Sequence, residues 1–138
     1  MCHDLTAAAP PPTLPPVLSV LSGLMALLFL FAAAVQYNDP DPIQWMAIYG
    51  AAAIVSAWAA FRRAGLPAAA PGLVGLAAFV WACTIAPRAL GKVSPLAMFK
   101  SWEMKNAVIE ENREMFGLLI VAAWMLVLFI ARRGAPSR

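Results

Sequence analysis

The chain has 138 residues, 62% of them apolar and 12% charged, with a mean hydropathy of +0.75. Ordinary soluble domains are about 45–50% apolar and about 25% charged, so a soluble globular fold is excluded, as are a coiled coil, a disulfide scaffold and a disordered tail. The net charge of +3 comes from ten Lys/Arg against seven Asp/Glu, and no basic run offers the phosphate-tracking stripe that nucleic acid requires.

Four apolar runs follow in order: Val17 to Val35, Trp45 to Phe61, Gly65 to Ala86 and Met115 to Ala131. About 20 apolar residues cross a hydrocarbon layer of about 30 Å, so each run is long enough or nearly so. Lipid gives the backbone no hydrogen-bond partner, which makes helix the only choice for a single stretch, and the alternation of a barrel strand is absent. The expected fold is all-α: an antiparallel bundle of four transmembrane helices over residues 17–133, with spans at about 17–36, 43–61, 67–86 and 110–131. A Pro/Ala-rich leader (1–16) precedes it and a short tail (134–138) follows.

The boundaries have local causes. Pro15 and Pro16 precede the first run, Asp41-Pro42 opens the second, and Pro87 is expected to close the third just after Ala86. Pro67 and Pro71 fall in the first turns of the third, which moves its expected helix start towards Pro71. Arg62-Arg63 and Arg132-Arg133 stop the second and fourth, because a charge at the bilayer centre costs about 2.5–3.5 kcal/mol. Between the third and fourth runs, Ser94 to Met104 reads as a short amphipathic helix lying in the interface, capped by Ser94 with Pro95 at its first position. Ala32-Ala33-Ala34 after an apolar run resembles a signal-peptide cleavage site, but the segment before it carries no lysine or arginine, so the first run is expected to be retained.

Helices in lipid associate through close contact at small residues. Ala52, Ser56 and Ala60 on the second run, Gly72, Gly75 and Ala78 on the third, and Gly117 on the fourth are placed for this, with Trp58, Trp81 and Trp124 as fillers or lipid contacts. Cys2 and Cys83 are expected at opposite faces and unpaired, and the lone His3 supports neither a His/Cys metal centre nor a nucleophile–histidine pair. Basic residues tie at five against five between the two sides: Arg62, Arg63, Arg132, Arg133 and Arg138 against Arg88, Lys92, Lys100, Lys105 and Arg113. The two Arg pairs abut membrane ends in short segments, which favours both termini in the cytoplasm.

The polar residues concentrate in two strings. Gln36, Asn38, Asp39 and Asp41 follow the first helix; Glu110, Glu111, Arg113 and Glu114 precede the fourth. An even number of crossings separates the strings, so both belong to one membrane face. Asp41 reads as an N-cap completed by Pro42 and Gln44, a device worth about 1 kcal/mol. Tyr37, Trp45, Tyr49 and Trp102 suit the interfacial aromatic belt. Glu110 and Glu114 share a helix face, where like charges repel by a few tenths of a kcal/mol in water. Three readings accommodate them. The first is an ion-pair network in which Arg113 answers Glu110 and Asp39 pairs with Arg113 or Arg88. The second is a hard cation or small polar ligand held by Asp39, Glu110 and Glu114 with help from Gln36 or Asn38. The third is a set of catalytic carboxylates.

Ser22-Gly23-Leu24-Met25-Ala26, Gln36, Asn38 to Asp41, Trp45 and Tyr49, together with Glu110-Glu111, Arg113-Glu114, Gly117-Leu118 and Ala123-Trp124, resemble the two halves of the transmembrane protein 220 family. The resemblance implies a small four-helix integral membrane protein without an assigned activity; the leader is not part of the pattern. The functional expectation is a non-enzymatic binding or assembly protein of a bacterial inner membrane, with its polar cluster at the outer face. It implies no cofactor beyond a divalent cation at that cluster, and as partners the bilayer and a membrane protein or second copy. The competing expectation is a membrane-embedded hydrolase or transferase using Asp39, Glu110 and Glu114 on a lipid-like substrate. A channel or transporter is disfavoured, because the spans carry no ionisable residue between their ends.

Overall fold

Prolines set the start of two helices in the computed structural model, which describes residues 13–62, 65–92, 94, 96 and 107–134, residues 107 and 108 by their backbone. The leader with Cys2 and His3, Trp102 and most of the expected interfacial helix, Arg63, and the end of the tail lie outside these residues. Helix α1 (Pro16–Val35) leads into a 3-10 turn (Gln36–Asn38), followed by α2 (Pro42–Phe61), α3 (Ala69–Ala89) and α4 (Ala107–Arg133). All four helices are long and apolar enough to cross a membrane, and no strand occurs among the described residues. The protein is an all-α membrane bundle.

Pro16 and Pro42 occupy first helical positions, where the missing N–H would have no intrahelical partner anyway. Arg62 ends α2, its N–H closing on the Trp58 carbonyl at 2.8 Å. The third helix starts where expected and departs from expectation at its C-terminal end. It begins at Ala69 with Pro71 inside its first turn, and it runs through Pro87 to Ala89 instead of stopping at Ala86. Pro87 removes one intrahelical bond, and the last turn is held from outside: Asn112, itself buried, donates from Nδ2 to the Ala89 carbonyl at 2.8 Å. Gly91, at φ 77°, then reverses the chain in a conformation that other residues rarely adopt. The fourth helix starts at Ala107, about a turn before the expected span and more than two turns before its apolar run, so Glu110 and Glu114 are helical.

The bundle is two antiparallel hairpins. α1 packs on α2 and α3 on α4, while α2 supplies the contacts between the pairs; among the described residues α1 touches neither α3 nor α4. Small residues govern the approaches. A Cβ on Gly75 would sit 2.8 Å from the Cβ of Met125, and Ala78, Ala82 and Ala89 are sealed against α4. Polar side chains pair across helices where lipid would leave them unsatisfied. Ser19 Oγ donates to the Ala60 carbonyl at 2.6 Å, and Trp124 Nε1 donates to the fully buried Ser56 Oγ at 3.1 Å. Each such bond contributes about 0.6 kcal/mol in a membrane. At the far end Arg132 Nε donates to the Leu66 carbonyl at 2.7 Å, tying α4 to the α2–α3 connector.

Gly75→Ala forces α3 away from α4 and should lower stability by about 1–3 kcal/mol. Gly50→Ala, with nothing within 4 Å of its new Cβ, should be neutral or stabilise by about 0.5–1 kcal/mol through helix propensity. Thermal unfolding of the two purified variants in one detergent checks the contrast.

Candidate functional site

The turn between α1 and α2 is built from alternating acids and prolines, Asp39-Pro40-Asp41-Pro42, which restrict the backbone before α2 begins. Asp39 folds back on the chain, its Oδ1 accepting the N–H of Asp41 at 3.0 Å. This overturns the expected capping box. Asp41 stands at the N-cap position with φ −122° and ψ 59° and makes no side-chain cap hydrogen bond. Its backbone is out of the extended conformation that capping requires, and Asp39 satisfies its N–H instead. The Asp41 and Gln44 side chains line an open cleft.

Trp45 and Tyr49, expected in the interfacial aromatic belt, take part in contacts between helices. Both are buried, at 4% and 7% exposure, on the face of α2 turned towards α3 and α4. Trp45 stacks on Trp81 of α3, with ring centroids 4.5 Å apart and planes 20° from parallel, and its other neighbour is Tyr49 at 6.4 Å. The Tyr49 hydroxyl fills the space that a Cβ on residue 117 would need, so a glycine on α4 is what admits the ring. Tyr37, in contrast, is exposed.

On the opposite wall Glu110 and Glu114 lie one helical turn apart on α4. Asp39, Glu110 and Glu114, all half-buried, each bring a carboxylate oxygen to within 4.8 Å of the others. Arg88 forms its ion pair with Glu111, Nε to Oε1 at 3.0 Å, and not with Asp39, which the ion-pair reading joins to Arg113 or Arg88. With Arg88 62% exposed, such a pair contributes about 0–1 kcal/mol. Arg113 is exposed and, like Gln36 and Asn38, does not line the cleft. The cleft encloses about 210 Å³, with Asp39, Asp41, Glu110 and Glu114 as its acids and Trp45, Trp81 and Ile85 as an apolar wall.

Sequence reasoning missed the part played by α3. Trp81, Ile85 and Arg88 recur at four- and three-residue intervals, which places them on one helical face, and that face meets the cleft. The periodicity was available in the sequence; the partner it faces was not. Chemically, three carboxylate oxygens with this spacing fit one hard cation, since ligands at about 2.3–2.6 Å from a shared Ca²⁺ lie within about 5 Å of each other. The open side of the cleft leaves room for water to complete the coordination.

Gly117→Ala should displace Tyr49, separate α2 from α4 and lower the unfolding midpoint, at a cost of about 1–3 kcal/mol. Tyr49→Phe in the same protein removes the colliding hydroxyl and should recover part of the loss. A double-mutant cycle by thermal unfolding measures that coupling.

No solved structure matches this chain. A family model described as "Transmembrane family 220, helix" matches residues 28–130, from the middle of α1 almost to the end of α4, taking in both walls of the cleft. By that match the chain belongs to transmembrane family 220.

Proposed function

We propose that the protein is a non-enzymatic binding protein of the membrane, whose cleft takes a hard divalent cation between its two helical hairpins. The observation that carries this is the approach of the Asp39, Glu110 and Glu114 carboxylates to within 4.8 Å. Asp39 belongs to the α1–α2 hairpin and the two glutamates to α4, and among the described residues the other helix-to-helix contacts between the hairpins are all made by α2. Three like charges at this separation repel, and Arg88, the basic residue on the cleft wall, already pairs with Glu111. A bound cation offsets the repulsion and clamps one hairpin to the other. The same arrangement provides a docking point for a partner whose contact depends on the cation-loaded loops. A hydrolase or transferase reading gains no comparable support from the geometry.

Purified protein stripped with EDTA should gain several degrees in unfolding midpoint when Ca²⁺ or Mn²⁺ is added, and Asp39→Asn or Glu110→Gln should abolish the gain. The same variants should be at least as stable as the parent without metal, because each removes a repelling charge. A parent that ignores divalent ions while both variants lose stability would sink the cation and support a plain ion-pair network.

The Arg pairs beside the membrane ends support an orientation with both termini in the cytoplasm and the cleft at the outer face, and the compact Ala-rich chain supports a bacterial inner membrane. In protein lacking Cys2 and Cys83, Asp41→Cys should react with an impermeant maleimide in intact cells, whereas Ser137→Cys should react only after lysis. The reverse pattern inverts the orientation. Labelling of both in intact cells contradicts the parity of crossings that puts the termini opposite the cleft.

A further inference from the structure

A second concavity lies on the other side of the α3–α4 pair. It encloses about 620 Å³, within the range of about 300–1,000 Å³ usual for small-molecule sites, and its lining is wholly apolar side chains and glycine. Gly72 and Gly75 of α3 and Ala122 and Ala123 of α4 keep it open, with Phe79 and Phe129 towards its two ends. Helical phase sets Gly72, Leu76 and Phe79 on the face of α3 away from Trp81, so the groove opens to lipid and not to the cleft.

Its position along the membrane is informative. From Leu119 to Phe129 the groove follows α4 for about 15 Å, at 1.5 Å per residue, which is the depth of one leaflet of a hydrocarbon layer about 30 Å thick. The end at Phe129 coincides with the bundle's basic end. The Arg133 guanidinium lies 5.3 Å from the Phe129 ring centroid, and Arg62 and Arg132 are at the same level. Every acidic residue among the described ones is at the opposite end, on the α1–α2 turn or the first turns of α4. An apolar slot one leaflet deep with an arginine over its mouth matches one chemistry: an acyl chain below and an anionic headgroup above.

We propose that the α3–α4 groove binds an acyl chain of an anionic phospholipid from the leaflet on the side of the chain termini, with Arg133 meeting its phosphate. The acyl chain lies between Phe79 and Phe129 against the glycines and alanines, where a bulkier floor would expel it. The guanidinium keeps its place on the Phe129 ring and directs its N–H groups to the phosphate oxygens. This site is independent of the cation cleft and stands if that cleft proves empty.

The test uses delipidated full-length protein in detergent, with dioleoyl phosphatidylglycerol and dioleoyl phosphatidylcholine as probes, read by native mass spectrometry and by the unfolding midpoint. The phosphatidylglycerol should bind about fivefold more tightly, the advantage expected of one arginine at a membrane surface. Arg133→Gln should weaken both lipids, because both carry a phosphate, but the phosphatidylglycerol more, so that the preference of about fivefold is lost. Ala123→Trp, from an exposed position on α4, should weaken both, and Leu76→Trp on the α3 rim repeats the block from the other wall. Equal binding of the two lipids by the parent overturns the headgroup assignment, and binding that survives both tryptophan variants overturns the groove. A dimer that those variants dissociate, with lipid binding unchanged, assigns the groove to a second copy of the chain instead.

Discussion

The seating of α2 on the α3–α4 pair governs everything at the acidic face, and it turns on one missing side chain. Residue 117 has no Cβ, so the Tyr49 hydroxyl enters the space beside α4. That approach brings Trp45 flat against Trp81 one turn higher on α2. With the top of α2 held there, the Asp39 turn cannot avoid Glu110 and Glu114. Apolar burial contributes little to helix association in lipid, so contacts of this kind, together with the Ser56–Trp124 hydrogen bond, carry the junction between the hairpins.

The two membrane faces differ in charge and in how they are closed. At one face the acids crowd into an open cleft, with the Arg88–Glu111 ion pair beside it. At the other the described charges are all basic, and one of them, Arg132, is committed to the Leu66 carbonyl in the connector. The acidic face therefore has an electrostatic excess to offset, and the basic face offers charge to an anionic surface. The proposed cation at the first and the proposed phospholipid at the second answer the same asymmetry.

Membership of transmembrane family 220 supports the architecture and assigns no chemistry. The chemical content comes from side chains: carboxylates on two hairpins, tryptophans as their apolar wall, and a slot of glycine and alanine on the lipid side. Each is a property of packing between helices, and none is a contiguous motif.

What the amino-acid sequence determined by itself was the membrane-spanning class and the grouping of the polar strings. Long uncharged runs have one stable form in lipid, and the parity of crossings assigns Asp39 and Glu114 to one face without any knowledge of packing. Tertiary structure alone decided which face of each helix meets which neighbour. Trp45 and Tyr49 carry the amphipathic character of belt residues, but belt and interhelical burial demand the same side chain, and only the glycine opposite them selects burial. Asp41 makes no cap bond because its backbone leaves the extended region, and the N–H that Gln44 would bind in a capping box is taken by Asp39, an outcome set by backbone angles. α3 continues through Pro87 to Ala89, whose carbonyl accepts from Asn112, more than twenty residues later in the chain. Hydropathy measures the exchange of water for lipid, whereas these outcomes depend on shape and direction between segments distant in the chain.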